Sequence, residues 1–132
     1  MDEKVTAFLM TNNGEFKFMK VKPYYEDIIK LLGLGFDEYM NEDIIRIDDL
    51  PYTIYSKMFN RTPGSRVTAM NTKENTFMLD SFILIRENKN GCFFNMSTNN
   101  INSIKSHLIV TQGKVRLLAQ EYQKNKIILK FD

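Results

Sequence analysis

A thiol nucleophile needs a base within hydrogen-bond reach, and this chain has one residue of each kind. Cys92 is its only cysteine and His107 its only histidine. Both stand in one stretch, DSFILIRENKNGCFFNMSTNNINSIKSHL, residues 80 to 108. The pattern puts Cys92 in a short return strand and His107 late in a helix, and no local spacing joins them. Free cysteine is usually a small buried hydrophobe. A histidine near a helix C-terminus meets the helix dipole favourably. Packing and helix-end roles are therefore expected for the two. A zinc centre takes about four ligands, and one Cys with one His does not supply the usual set.

The carboxylate pairs Glu42-Asp43 and Asp48-Asp49 could hold magnesium or exchange protons. Adjacent residues in a strand point to opposite faces, however, and adjacent residues in a turn face water. Asp43, Asp48 and Asp49 are expected instead as surface contacts to a partner. The loop Asn60-Arg61-Thr62-Pro63-Gly64-Ser65-Arg66 is the small-anion candidate, through Asn60, Arg61 and Arg66. Guanidinium groups beside open backbone N–H groups can hold a phosphate. The loop matches neither GxxxxGK[ST] nor GxGxxG.

Net charge is +2, but it is unevenly placed. Eight acids stand between Glu26 and Asp49 against Lys30 and Arg46. Six bases stand between Lys105 and Lys130 against Glu121. Such asymmetry can mark a binding face, or two faces that meet in a homo-oligomer. The basic part, with Tyr122 and Phe131, is the nucleic-acid candidate, because phosphates want clustered bases and single strands want stacked aromatics. Val115, Leu117, Leu118 and Ile127 to Leu129 read as core within it.

At 132 residues the chain suits one domain, residues 1–132. Its apolar fraction of 43% and charged fraction of 26% are those of a globular protein. No apolar run approaches the roughly 18 residues of a membrane helix. The start, MDEKVTAFLM, lacks the positive region of a secretory signal. One cysteine makes no internal disulfide, so a soluble cytoplasmic protein is expected. No cofactor motif is present. Asn, Ile, Lys, Phe and Tyr are abundant and alanine occurs only at positions 7, 69 and 119. AT-rich codons explain that bias, and so a low-GC bacterium or one of its phages.

The elements that must position these residues follow from the pattern. Val5 to Met10 and Glu15 to Val21 flank Asn13-Gly14, a hairpin signal, with Phe16 and Phe18 on one face and Lys17 and Met19 on the other. Pro23 suits a first helical position; Tyr25, Ile28, Ile29 and Leu32 then form an apolar stripe, and Gly33 or Gly35 ends it. Phe36 to Met40 reads as a further helical turn. Ile44 to Ile47 is a short strand, Asp48, Asp49 and Pro51 a turn, and Tyr52 to Met58 a strand. Phe77 to Arg86 is the strongest strand, nearly continuous in apolar residues and suited to a central position. Asn88 to Gly91 turns, Cys92 to Phe94 returns, and Ser97 or Thr98 caps a helix carrying Ile101, Ile104 and Leu108. Val115 to Tyr122 and Ile127 to Phe131 read as a second hairpin, with a helix over 114–123 as the competing reading.

The order DIIKLLG helix, IIRI strand, Asp48-Asp49, strand, Asn60-Arg61, DSFILI strand, Gly91-Cys92-Phe93-Phe94 and closing helix resembles a family of small uncharacterised proteins found mainly in phages and mobile elements. In that family an Asn-Arg pair precedes a strand and a short helix closes the unit. The resemblance spans about residues 24 to 108. It implies an α+β fold and a phage context, and transfers no functional residue. The expected fold is thus α+β, a mostly antiparallel sheet with one or two helices packed on one face. The expected function is a small, non-enzymatic binding protein that inhibits or regulates a host or phage protein. The alternative is a binder of nucleotides or nucleic acid.

Overall fold

The computed structural model describes residues 3–11, 13–35, 38–57, 66–71, 73, 76–121 and 126–131, with backbone alone for 66, 76, 79, 112–121 and 126–131. Ten strands and two helices are present among these residues. In chain order they are β1 (Val5–Met10), β2 (Phe16–Val21), α1 (Tyr25–Leu31), β3 (Met40–Ile47), β4 (Leu50–Lys57), β5 (Arg66–Asn71), β6 (Thr76–Leu79), β7 (Phe82–Glu87), β8 (Phe93–Phe94), α2 (Thr98–His107), β9 (Ile109–Glu121) and β10 (Lys126–Phe131).

The larger sheet runs β2-β1-β7-β4-β3, with β8 added to the end of β7. The smaller runs β10-β9-β5-β6. Every described ladder is antiparallel. The α+β class and the antiparallel sheet are as expected, and the second hairpin is realised by β9 and β10 rather than by a helix.

β7 lies at the centre, and its Phe82, Ile83, Leu84 and Ile85 are all fully buried. Strand alternation sends them two ways. Phe82 and Leu84 join Phe8, Met10, Tyr52 and Ile54 in one cluster, which Ile104 of α2 and Leu108 just after it cover, together with Ala69 and Met78 of the smaller sheet. Ile83 and Ile85 join Val5, Ala7, Val21 and Tyr55 in another, closed by Ile28 of α1. The single helical face is therefore divided, with α1 on one side of the sheet and α2 on the other.

The expected strand from Phe77 to Arg86 is broken in two. Asp80 takes the left-handed region at φ 53°, and the Thr68 hydroxyl donates to its carbonyl at 2.8 Å. The break moves the chain from the smaller sheet to the larger. Pro23 stands before the N-cap, Tyr24, rather than inside α1. Gly33 ends that helix with φ 68°: its N–H donates to the Lys30 carbonyl and the Leu34 N–H to the Ile29 carbonyl, a Schellman motif. Met40 begins a strand instead of ending a helical turn, while Phe36 and Asp37 lie outside the described residues. Pro51 falls inside β4, opposite Arg46, and not in the turn. That pair is one step from the hairpin closure, so the missing N–H of Pro51 points away from β3. No helix among the described residues is long and apolar enough to cross a membrane.

Candidate functional site

Ser97 starts α2 with a reciprocal capping box, its hydroxyl accepting from the Asn100 N–H at 3.1 Å while Asn100 Oδ1 accepts from the Ser97 N–H at 3.0 Å. Asp48 Oδ2 then accepts the Ser103 hydroxyl at 3.2 Å, and Asp48 Oδ1 lies 3.8 Å from His107 Nε2 and 4.0 Å from Lys73 Nζ. Serine, histidine and aspartate thus converge beside an open groove of ≈ 450 Å³ lined by Asn99, Asn100, Asn102 and Ser106 as well.

The order of contacts is wrong for hydrolysis. A Ser-His-Asp relay needs the hydroxyl on one ring nitrogen and the carboxylate on the other. Here His107 Nδ1 meets the Ser103 backbone carbonyl at 2.9 Å, and the Ser103 hydroxyl donates to the aspartate directly. With Nδ1 donating to a carbonyl, only Nε2 faces the carboxylate. The set fastens a helix end to a hairpin and leaves no activated oxygen. His107 serves the helix-end role that its position suggests.

Cys92 does not pack in the core as expected. It is exposed, at the end of a turn in which Asn88 Oδ1 accepts from the N–H groups of Asn90 and Cys92. The turn needs those donors turned inward, and the thiol faces out. No group of three or more His, Cys, Asp or Glu side chains is placed to hold a metal among the described residues.

The acidic candidates fall on one edge of the larger sheet and are only partly together. Asp49 follows Asp48 in the turn, both in the left-handed region at φ 54° and 64°, and Arg46 Nη1 donates to the Asp49 carbonyl at 2.9 Å. Asp43 stands five residues back, roughly 17 Å along the strand. Its Oδ1 accepts from the N–H of Ile44 at 2.8 Å. Glu42 points to the α1 side, 3.5 Å from the Tyr55 hydroxyl. Of the loop candidates, Asn60 and Arg61 lie outside the described residues; Arg66 begins β5, with only its backbone described, in register with Arg116.

Two features escape the sequence. Ile44 is 68% exposed and Tyr39 76% exposed, both along or beside β3. An isoleucine in a strand otherwise reads as core, and only the edge position of β3 uncovers it. Behind this edge, Glu87 accepts hydrogen bonds from the Tyr55 hydroxyl and, at 3.0 Å, from the Thr53 hydroxyl. Burial first, then the Glu87 carboxylate, pushes the Tyr55 phenol far above its usual range. Lys57 Nζ, 2.7 Å from Glu38 Oε2, holds that carboxyl below its usual range.

No protein-family model, curated protein or solved structure matches the chain.

Proposed function

We propose that this is a small, non-enzymatic binding protein that acts by covering a surface of another protein. Inhibition or regulation of that protein, as a factor carried by a phage or mobile element, fits the composition and the element order. The observation that carries the reading is the β3 edge. Tyr39 and Ile44 are among the most exposed large apolar residues described, and the exposed Glu42 and Asp43 stand between them along β3. Exposed apolar groups with a polar rim are the usual make-up of an interaction surface. The acids select a basic partner and speed its approach.

The test is affinity capture from the native host with the wild-type chain and with a double variant, Asp43→Lys and Ile44→Lys. Both side chains are exposed, so circular dichroism should report an unchanged fold. The partner retained by the wild type should be lost by the variant. Equal retention by a folded variant would remove β3 as the contact.

A further inference from the structure

We propose that the opposite edge of the same sheet carries a second site, a track for single-stranded nucleic acid between β2, α1 and β8. Two grooves adjoin there. One, of ≈ 260 Å³, is lined by Lys4, Lys20, Lys22 and Lys30 over Met19, Val21 and Leu31, with Asp27 at its side. The other, of ≈ 650 Å³, is lined by Lys4, Lys20, Glu3, Pro23, Phe93 and Phe94. Lys4 and Lys20 border both, so the grooves neighbour each other across these two residues.

The four lysines are exposed, and among the described residues none makes an ion pair. Lys20 is also positioned. Its ammonium donates to Asn95 Oδ1 at 3.1 Å, and the same oxygen accepts from the Thr6 N–H at 2.8 Å. Asn95 is neutral, so it fixes the lysine without cancelling its charge. The nearby acids are Glu3 and Asp27, which leaves the track positive. β3, with its acids, is at the far edge of the sheet and does not oppose an incoming anion.

The ligand follows from the pairing of charge with ring and apolar surface. Lysines at several points along a groove suit a chain of phosphates rather than one phosphate. Pro23 and half-buried Phe93, which lies edge-on to Tyr25 on the α1 side, offer apolar surface to bases, which a duplex hides and a single strand presents; Phe94 points to the other face, under the Arg86 guanidinium. This site uses none of the arginine-loop or C-terminal bases that the sequence alone brings forward.

Fluorescence anisotropy with a labelled oligothymidylate at low salt tests the proposal on the full chain. Four phosphate contacts on a single strand give a log affinity against log salt slope of about −3. Replacing Lys4, Lys20, Lys22 and Lys30 together by Gln should lower affinity by roughly tenfold or more and flatten that slope. Asp43→Asn with Ile44→Thr, which adds no cationic side chain, should leave both unchanged, which separates this site from the β3 contact. Absence of binding at low salt would overturn the proposal. So would an unchanged slope in the quadruple variant, transfer of the loss to a variant neutralised at Lys114, Arg116, Lys126 and Lys130, or binding to phosphatidylserine vesicles but not to the oligonucleotide.

Discussion

Asp48 accepts the Ser103 hydroxyl at 3.2 Å, across 55 residues of sequence, and so ties the β3–β4 turn to the middle of α2. A two-residue turn with both residues at positive φ favours Asn-Gly. This one uses Asp-Asp, and the first aspartate is kept for what its side chain holds.

The two aspartates should therefore answer differently to substitution. Asp49→Gly relieves the left-handed backbone and keeps the Arg46 contact, which goes to the carbonyl. It should raise stability by about 0.5–1 kcal/mol. Asp48→Ala leaves a Cβ residue in the left-handed region and removes the Ser103 and His107 contacts, and should cost about 1–2 kcal/mol. Urea denaturation midpoints check both, and equal effects would show that the Asp48 side chain holds nothing.

Stability should fall as pH rises past about 10. The unfolded chain releases tyrosine protons near that pH. In the folded chain burial raises both Tyr52 and Tyr55, the latter also through Glu87, so each keeps its proton longer. The folded state then binds more protons than the unfolded one, and unfolding gains with every further step in pH. The contribution is whole below pH 10 and is lost above it. Tyr55→Phe should start less stable, having lost its hydrogen bond to Glu87, yet show a shallower alkaline decline in the urea midpoint between neutral pH and pH 11. A parallel decline would place the loss elsewhere.

The α2 capping box should be worth about 1 kcal/mol in either direction of the exchange. Ser97→Ala removes the acceptor for the Asn100 N–H, whereas Ser97→Asp keeps one and places a negative charge at the positive end of the helix. The alanine variant should melt lower and the aspartate variant at or above the wild type. Because Ile104 of this helix closes the main cluster, the loss should appear in the global transition rather than as local fraying.

These elements were legible in the sequence to different depths. The N-terminal hairpin, α1, the Asp48-Asp49 turn and the Ser97 cap follow from local chemistry, since each is set by residues within a few positions of one another. The break at Asp80 is not local. The apolar run passes straight through it, and the Thr68 contact that supports the turn comes from another strand. The lysine track is hidden for the same reason. Lys4, Lys20, Lys22 and Lys30 are scattered along the sequence, and only the pairing of β1 with β2 and the docking of α1 bring them to one groove. Exposure of Ile44 depends on the sheet ending at β3, which no periodicity reveals.

Asp43 bears on that edge in a second way. Ile44 lies in a non-hydrogen-bonded pair with Thr53, so its N–H points outward from the sheet, where another strand would pair with it. Asp43 Oδ1 already accepts from it at 2.8 Å. An aspartate side chain thus occupies the donor that a foreign strand would use, and its charge repels a second acidic β3. Edge strands with open donors and exposed apolar groups associate unless something blocks them. Asp43→Val removes the block and adds a β-former, and sedimentation velocity should then show concentration-dependent association. Asp43→Asn keeps the acceptor and loses the charge, so it separates the two effects: a monomeric Asn variant assigns the protection to the hydrogen bond. A valine variant that stays monomeric to high concentration would show that the free edge is protected by something other than Asp43.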